Sequence, residues 1–214
     1  MGLKKRLVGA LAAVGIITAP LLLSTPANAV ETPINQCVGT WNIYVGGLGN
    51  NNSTGAVNVN QRVGYNSADT RGGVSELNRL VWDHSKACPG DRLRIMGHSG
   101  GAAVVNVWGK ENGRFFVGKA SLVLLADPKR PANWYNGPGF ASSDFPFNLY
   151  PPLAGGNDNF QGLPRISVCR VNSDHICASR VGWEGYAGGR HNDYTFDMNA
   201  YPLFGNYVQD IHAW

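Results

Sequence analysis

The chain is predicted to be α/β, with a mostly parallel central sheet flanked by helices, and two observations carry the prediction. Short strand-like runs, Thr40-Trp41-Asn42-Ile43-Tyr44-Val45, Leu93-Arg94-Ile95-Met96, Leu122-Val123-Leu124-Leu125 and Arg165-Ile166-Ser167-Val168-Cys169, alternate with segments of helical period. Parallel strands covered on both faces read in this way, as nearly continuous apolar stretches. The second observation is Gly97-His98-Ser99-Gly100-Gly101, set between an apolar run and the helix-prone Ala102-Ala103-Val104-Val105-Asn106-Val107.

The first residues precede the fold. Lys4, Lys5 and Arg6, then an apolar stretch from Leu7 to Leu23, then Ala27-Asn28-Ala29 are a charged region, an apolar region and a small-residue cleavage site. A secretory signal peptide over residues 1–29 is expected, cut after Ala29. Gly15, Thr18 and Pro20 interrupt the stretch and no second span follows, so no stable membrane anchor is expected. The remainder, residues 30–214, is expected to form one domain and to act as a monomer, since about 185 residues bury a sizeable core. Loss of the three leader charges leaves 15 basic residues against 14 acidic ones. No basic stripe exists to track phosphates, which argues against nucleic acid as a partner.

The run from Thr40 to Val45 alternates and is rich in β-formers, and Gly46-Gly47-Leu48-Gly49-Asn50-Asn51-Asn52 ends it. This loop lacks the third glycine and the following helix of a dinucleotide fingerprint. From Gly73 to Ala87, Val74, Leu77, Leu80, Val81 and His84 fall at helical spacing, and Cys88-Pro89-Gly90 stops the helix. A strand at Leu93, a helix to about Gly109, and a strand at Leu122 ending in Ala126-Asp127-Pro128 follow. Residues 129–164 form an insertion rich in proline, glycine and aromatic residues. Its aromatic content opposes disorder, and Trp134, Tyr135, Phe145 and Phe147 are candidates for a substrate-binding wall or lid. After a short strand at Arg165, a closing helical stretch is expected beyond His191.

Four cysteines, Cys37, Cys88, Cys169 and Cys177, make an even set in an exported chain and are expected to be disulfides. Three pairings are possible; the closeness of Cys169 to Cys177 favours that bridge, with Cys37 to Cys88 as the other. In the chain-entropy picture the long loop contributes about 4 kcal/mol and the short one about 2.6 kcal/mol. The short bridge is therefore expected to hold a local loop more than the whole fold. The spacing offers no C-x-x-C pair, so no metal site is expected.

Glycines flank Ser99 because so sharp a strand-to-helix turn leaves no room for side chains, while the turn lifts the hydroxyl clear of the sheet. The helix that follows offers free N–H groups and the positive end of its dipole to a developing oxyanion. An attacking serine needs a base and an acid to orient it, which in α/β-hydrolases follow in the order Ser, Asp, His. Asp174, inside the cysteine loop, and His191, after Gly188-Gly189-Arg190, stand in that order. Asp127 is the rival acid, with Asp193 too near His191 in sequence. His84, His98, His175 and His212 are expected to be structural or solvent-facing.

Ala87-Cys88-Pro89 before a strand, Gly97 to Ala102, Cys169 to Cys177 enclosing Asp174, and His191 with Tyr194 behind it together resemble the cutinase family of secreted serine esterases. The resemblance covers nearly the whole mature chain. Residues 125–131, Leu-Ala-Asp-Pro-Lys-Arg-Pro, further resemble the serine-hydrolase domain attached to mycobacterial PE and PPE proteins, which points to an actinobacterial cutinase-like hydrolase. The resemblance implies an α/β-hydrolase fold, no cofactor, and hydrolysis of carboxylic esters, of lipid, polyester or acylated envelope type, through an acyl-enzyme. It implies Ser99, Asp174 and His191 as triad, with the N–H groups of Gly100 and Leu48 as oxyanion donors. His98 and Gly100 replace the family's usual Tyr and Gln in the elbow. Val45-Gly46-Gly47-Leu48 replaces a loop that carries a Ser or Thr hydroxyl, so only backbone donors are expected there. Acyl transfer to envelope glycolipids and a catalytically idle binding module are the alternative functions.

Overall fold

The computed structural model describes residues 31–131, 137–141 and 159–213. The signal segment, and Trp134, Tyr135, Phe145 and Phe147 of the insertion, lie outside them. Six parallel strands form one open sheet: β1 Thr40–Val45, β2 Gln61–Arg62, β3 Arg92–His98, β4 Ala120–Leu125, β5 Arg165–Cys169 and β6 Tyr207–Asp210, in the order β2-β1-β3-β4-β5-β6. The helices are α1 Thr70–Ala87, α2 Gly100–Asn112 and the single turn α3 Glu184–Ala187.

Strand alternation sorts the sheet into two faces. Trp41, Ile43, Val45, Leu93, Ile95, Leu122 and Leu124 point toward α1 and α2, meeting Val74, Leu77, Leu80, Val81, Val104, Val105 and Trp108. α2 is buried along most of its length, which explains the nearly continuous apolar run from Ala102 to Trp108, broken only by Asn106. The other face, Tyr44, Met96, Val123, Leu125, Ile166 and Val168, is covered by Met198 and Tyr201, with Val59, Tyr194, Phe196 and Ile211 packed around them. No helix covers it among the described residues.

Two expectations need correction. α1 begins at Thr70 rather than Gly73, because the Asp69 carboxylate caps it by accepting the Gly72 N–H at 2.9 Å. The glycine pair does not break the helix there: a Cβ on Gly73 would lie 2.7 Å from the Tyr65 ring and 2.8 Å from Val104, so close helix packing requires it. The closing helix does not form. Beyond the 3-10 turn that holds His191 the chain makes one more, Met198–Ala200, and then β6, with Tyr194, Phe196, Met198 and Tyr201 acting as separate anchors on the second sheet face.

Two disulfides close the loops anticipated from sequence, Cys37–Cys88 and Cys169–Cys177. The base of the insertion is tied down beside the second. Gly139 N–H reaches Arg130 O at 2.9 Å, Ala141 N–H reaches Pro128 O at 2.7 Å, and Phe140 N–H reaches Ile176 O at 2.8 Å. The buried Arg130 guanidinium also pairs with Asp210 at the end of β6.

Candidate active site

Ser99 sits where β3 gives way to α2, with φ 56° and ψ −125°. A non-glycine residue in that region is strained and persists only where its surroundings fix it. They do so here by close approach. A Cβ on Gly97 would lie 2.3 Å from Gly101 O, and one on Gly101 would lie 2.1 Å from Val45 O. Ser99 N–H donates to Leu125 O at 2.9 Å, tying the elbow to the end of β4.

Residues 46–50, after β1, press against the serine from the other side. A Cβ on Gly47 would lie 2.8 Å from Ser99 Cβ and 3.0 Å from His98 O. Side chains fix this turn: Gly46 N–H donates to Ser53 Oγ at 2.8 Å, Tyr65 OH donates to Gly46 O at 2.7 Å, and Gly49 N–H donates to Ser67 Oγ at 2.8 Å. Asn50 N–H is taken by Gly47 O at 2.9 Å. Among the described residues this leaves the Gly47 and Leu48 amides of the turn without a protein acceptor. The Leu48 side chain is 65% exposed, so whatever this position offers the serine comes from its backbone.

His191 lies in the 3-10 turn Arg190–Asn192, entered through Gly189 at φ 85°. Its Nδ1 stands 3.0 Å from Asp174 Oδ1 and 2.9 Å from Oδ2. Asp174 also accepts the Tyr194 hydroxyl at 2.7 Å and the Ile176 N–H at 3.0 Å. Burial alone would push this carboxyl up, but the hydrogen bonds and the imidazole hold it below its ordinary value. It therefore stays an acceptor, which directs a proton onto His191 Nδ1 and leaves Nε2 as the basic nitrogen. Burial, and then the Asp174 charge, push the Tyr194 phenol well above its usual range and keep it a donor.

Ser99 and His191 line one cavity of about 280 Å³ together with Gly47, Leu48, Asn50, His98, Tyr186 and Asn192. Gly100 opens α2 directly beneath, so its N–H is among the free donors of the helix start. The structure thus gathers Ser99, His191, Asp174, Gly100 and Leu48 around or behind one opening. An arrangement of this kind can activate a hydroxyl, hold an oxyanion and shuttle one proton.

The rival residues are engaged elsewhere. Asp127 accepts the Lys129 N–H at 2.8 Å and the Asn106 amide at 2.6 Å, forming the turn into the insertion, and burial pushes its carboxyl up. Asp193 pairs with Arg170 at 2.7 Å. His84 lies between Ile34 O at 2.7 Å and Asp91 at 3.1 Å, stacked on Trp41 at 3.8 Å. His84, Asp91 and Cys88 place three donor atoms together, but the Cys88 sulfur belongs to a disulfide. His175 Nδ1 donates to Val181 O at 2.6 Å, and its ring lies 4.0 Å from that of Trp183. Sequence reasoning missed Gly47, Asn50, Tyr186 and Asn192 around the opening. It also missed the bond from His98 to the His191 carbonyl, 2.8 Å long.

No family model and no curated protein sequence matches this chain. Its fold does have solved counterparts. A cutinase-like protein from Cryptococcus sp. superposes with a TM-score of 0.53 at 16% identity, over 83% of this chain and 100% of that one. An acetylxylan esterase aligns at 14% identity over 73% of this chain and 96% of that one, with a TM-score of 0.42. The first likeness is one of fold: the chain shares the open, parallel α/β-hydrolase architecture of that cutinase-like protein. Among the described residues no helix is long and apolar enough to cross a membrane.

Proposed function

We propose that this chain is an exported serine esterase that hydrolyses carboxylic esters through an acyl-enzyme. The observation that carries the proposal is the strained Ser99 opening onto the same cavity as a histidine whose far nitrogen is held by a buried carboxylate. In this reading Ser99 Oγ attacks the ester carbonyl and passes its proton to His191 Nε2. Asp174 holds the ring and stabilises the imidazolium. The carbonyl oxygen, now an oxyanion, is held by the N–H of Gly100 and by the 47–48 turn through Leu48. The tetrahedral intermediate collapses, His191 protonates the departing alcohol, and water repeats the sequence in reverse to release the acid.

Two disulfides and the leader sequence support export. The insertion aromatics Trp134, Tyr135, Phe145 and Phe147 remain the candidates for binding the acyl group, and residues 125–131 support kinship with actinobacterial cutinase-like hydrolases and the domain attached to PE and PPE proteins. The test is Ser99→Ala with a fluorescent alkylphosphonate and a graded series of nitrophenyl esters. Labelling should vanish and turnover fall by about a millionfold while the fold survives. Retained hydrolysis in the variant ends the mechanism, and an unlabelled wild-type protein favours the idle binding module.

A further inference from the structure

His98 has the parity of Met96 on β3, so its side chain leaves the elbow on the sheet face that carries no helix, where the chain from His191 to Phe196 crosses. It is 7% exposed. Its Nε2 lies 2.8 Å from the carbonyl oxygen of His191, across 93 residues of chain. Its ring lies 4.7 Å from the His191 ring, 5.8 Å from that of Tyr194, and meets Phe196 edge-on at 5.0 Å. A carbonyl can only accept, so Nε2 carries the proton and the tautomer is fixed.

The turn that holds His191 has little else to fix its main chain. Its backbone bonds are local, Asn192 to Gly189 and Asp193 to Arg190, and Gly188-Gly189 precede it. Asp174 orients the ring through Nδ1, and Arg170 grips Asp193, with Nε donating to Asp193 O at 2.6 Å. The bond from His98 is the connection that runs from the serine's own elbow to the base.

We propose that His98 is a positioning residue: its ring and its bond to the His191 carbonyl couple the nucleophile's elbow to the base's loop, setting the distance from Ser99 to His191. The inference rests on the esterase reading above. The groups that face His98 are His191 beside it and, behind that, Asp174 and Tyr194. Burial, with the neighbouring His191, holds the His98 pKa down to about 4. The residue is therefore neutral at physiological pH and does not compete with His191 for the serine proton.

The experiment compares wild type, His98→Phe and His98→Gln. Phe keeps an aromatic ring and loses the donor; Gln carries an amide N–H that can reach the place of Nε2. On nitrophenyl acetate, His98→Phe should lower kcat about tenfold to a hundredfold, the scale of a small misplacement of a catalytic group, with KM nearly unchanged. The acid limb of its pH–rate profile should shift. His98→Gln should recover most of kcat and return the limb to the wild-type position. Equal impairment of both variants, or an unshifted limb in His98→Phe with wild-type kcat, overturns the proposal. Should His98→Phe not fold, as judged by near-ultraviolet circular dichroism, a His98→Gln variant that folds but loses activity with the Phe-like shift overturns it as well. Phosphonate labelling of wild-type Ser99 separates the two readings: absence of labelling defeats the esterase assignment itself, whereas labelling with no effect at position 98 defeats only the coupling.

Discussion

His191 and Asp174 meet with a single ring nitrogen bracketed by both carboxylate oxygens, at 3.0 and 2.9 Å. Asp127, which ends β4 close to the elbow, makes no such contact and instead binds Lys129 N–H and Asn106. Asp174→Asn should therefore keep the fold and lower turnover by about 10⁴, since an amide can favour the wrong tautomer and cannot stabilise the imidazolium. Asp127→Asn should cost far less activity. Both variants measured on one nitrophenyl ester decide the assignment, and a larger loss at Asp127 would move the acid role there.

Gly47 touches the serine by its lack of a side chain. In Gly47→Ala the new methyl would lie 2.8 Å from Ser99 Cβ and 3.0 Å from His98 O, neither of which can yield without moving the elbow. Activity should fall about a hundredfold or more with phosphonate labelling slowed in parallel. Leu48→Ala, which alters only an exposed side chain, should stay within about threefold of wild type, the range of ordinary surface changes. A large loss at Leu48 and none at Gly47 would show that the turn contributes a side chain rather than its backbone.

The Cys169–Cys177 bridge closes a separation of 8 residues and Cys37–Cys88 one of 51. Loop entropy assigns about 2.6 kcal/mol to the first and about 4 kcal/mol to the second, yet Asp174 lies inside the first. Replacing Cys169 and Cys177 by Ser should depress kcat by a larger factor than the change in thermal midpoint accounts for. Replacing Cys37 and Cys88 should do the reverse. Parallel losses in the two double variants would remove the special role of the short loop.

His98 also predicts a pH dependence of stability. Its pKa falls from an ordinary 6.5 to about 4 on folding, so between those values the unfolded chain binds more protons than the folded one. Stability is complete above about pH 6.5 and is lost as pH falls toward 4, by up to about 3 kcal/mol. Asp174, held below 3.8, adds its own loss at lower pH. Urea melts at pH 7, 5.5 and 4.5 should show wild type weakening more steeply than His98→Gln. Parallel curves would mean that the ring is not held neutral.

The sequence made β1, β3 and β4 legible because burial on both faces leaves nearly unbroken apolar runs, and α1 legible because only one of its sides is covered. It did not reveal β2, a two-residue strand, or β6, whose residues are mostly exposed at the sheet edge and carry no apolar pattern. The expectation of a final helix failed because Tyr194, Phe196, Met198 and Tyr201 each fill a separate place on the second sheet face, a demand visible only once the sheet is assembled. Ser99, Asp174 and His191 could be singled out by residue type, order and spacing. Gly47 and His98 could not, since their contacts join chain segments on opposite sides of the elbow, and no local pattern encodes such a meeting.

Asp174 and His191, the proposed acid and base, belong to one continuous stretch of chain. Within residues 169–194 lie the disulfide, the Asp174–His191 pair, the Tyr194 hydroxyl on Asp174, and the grip of Arg170 on Tyr194 OH and Asp193. Ser99, the proposed nucleophile, comes from the end of β3 inside the sheet instead. The half of the site proposed to handle protons is thus a cassette hung on the end of β5, joined to the serine's half through the His98 bond and the shared opening. Such a cassette can be redesigned to work at another acidity while the serine's elbow stays unaltered.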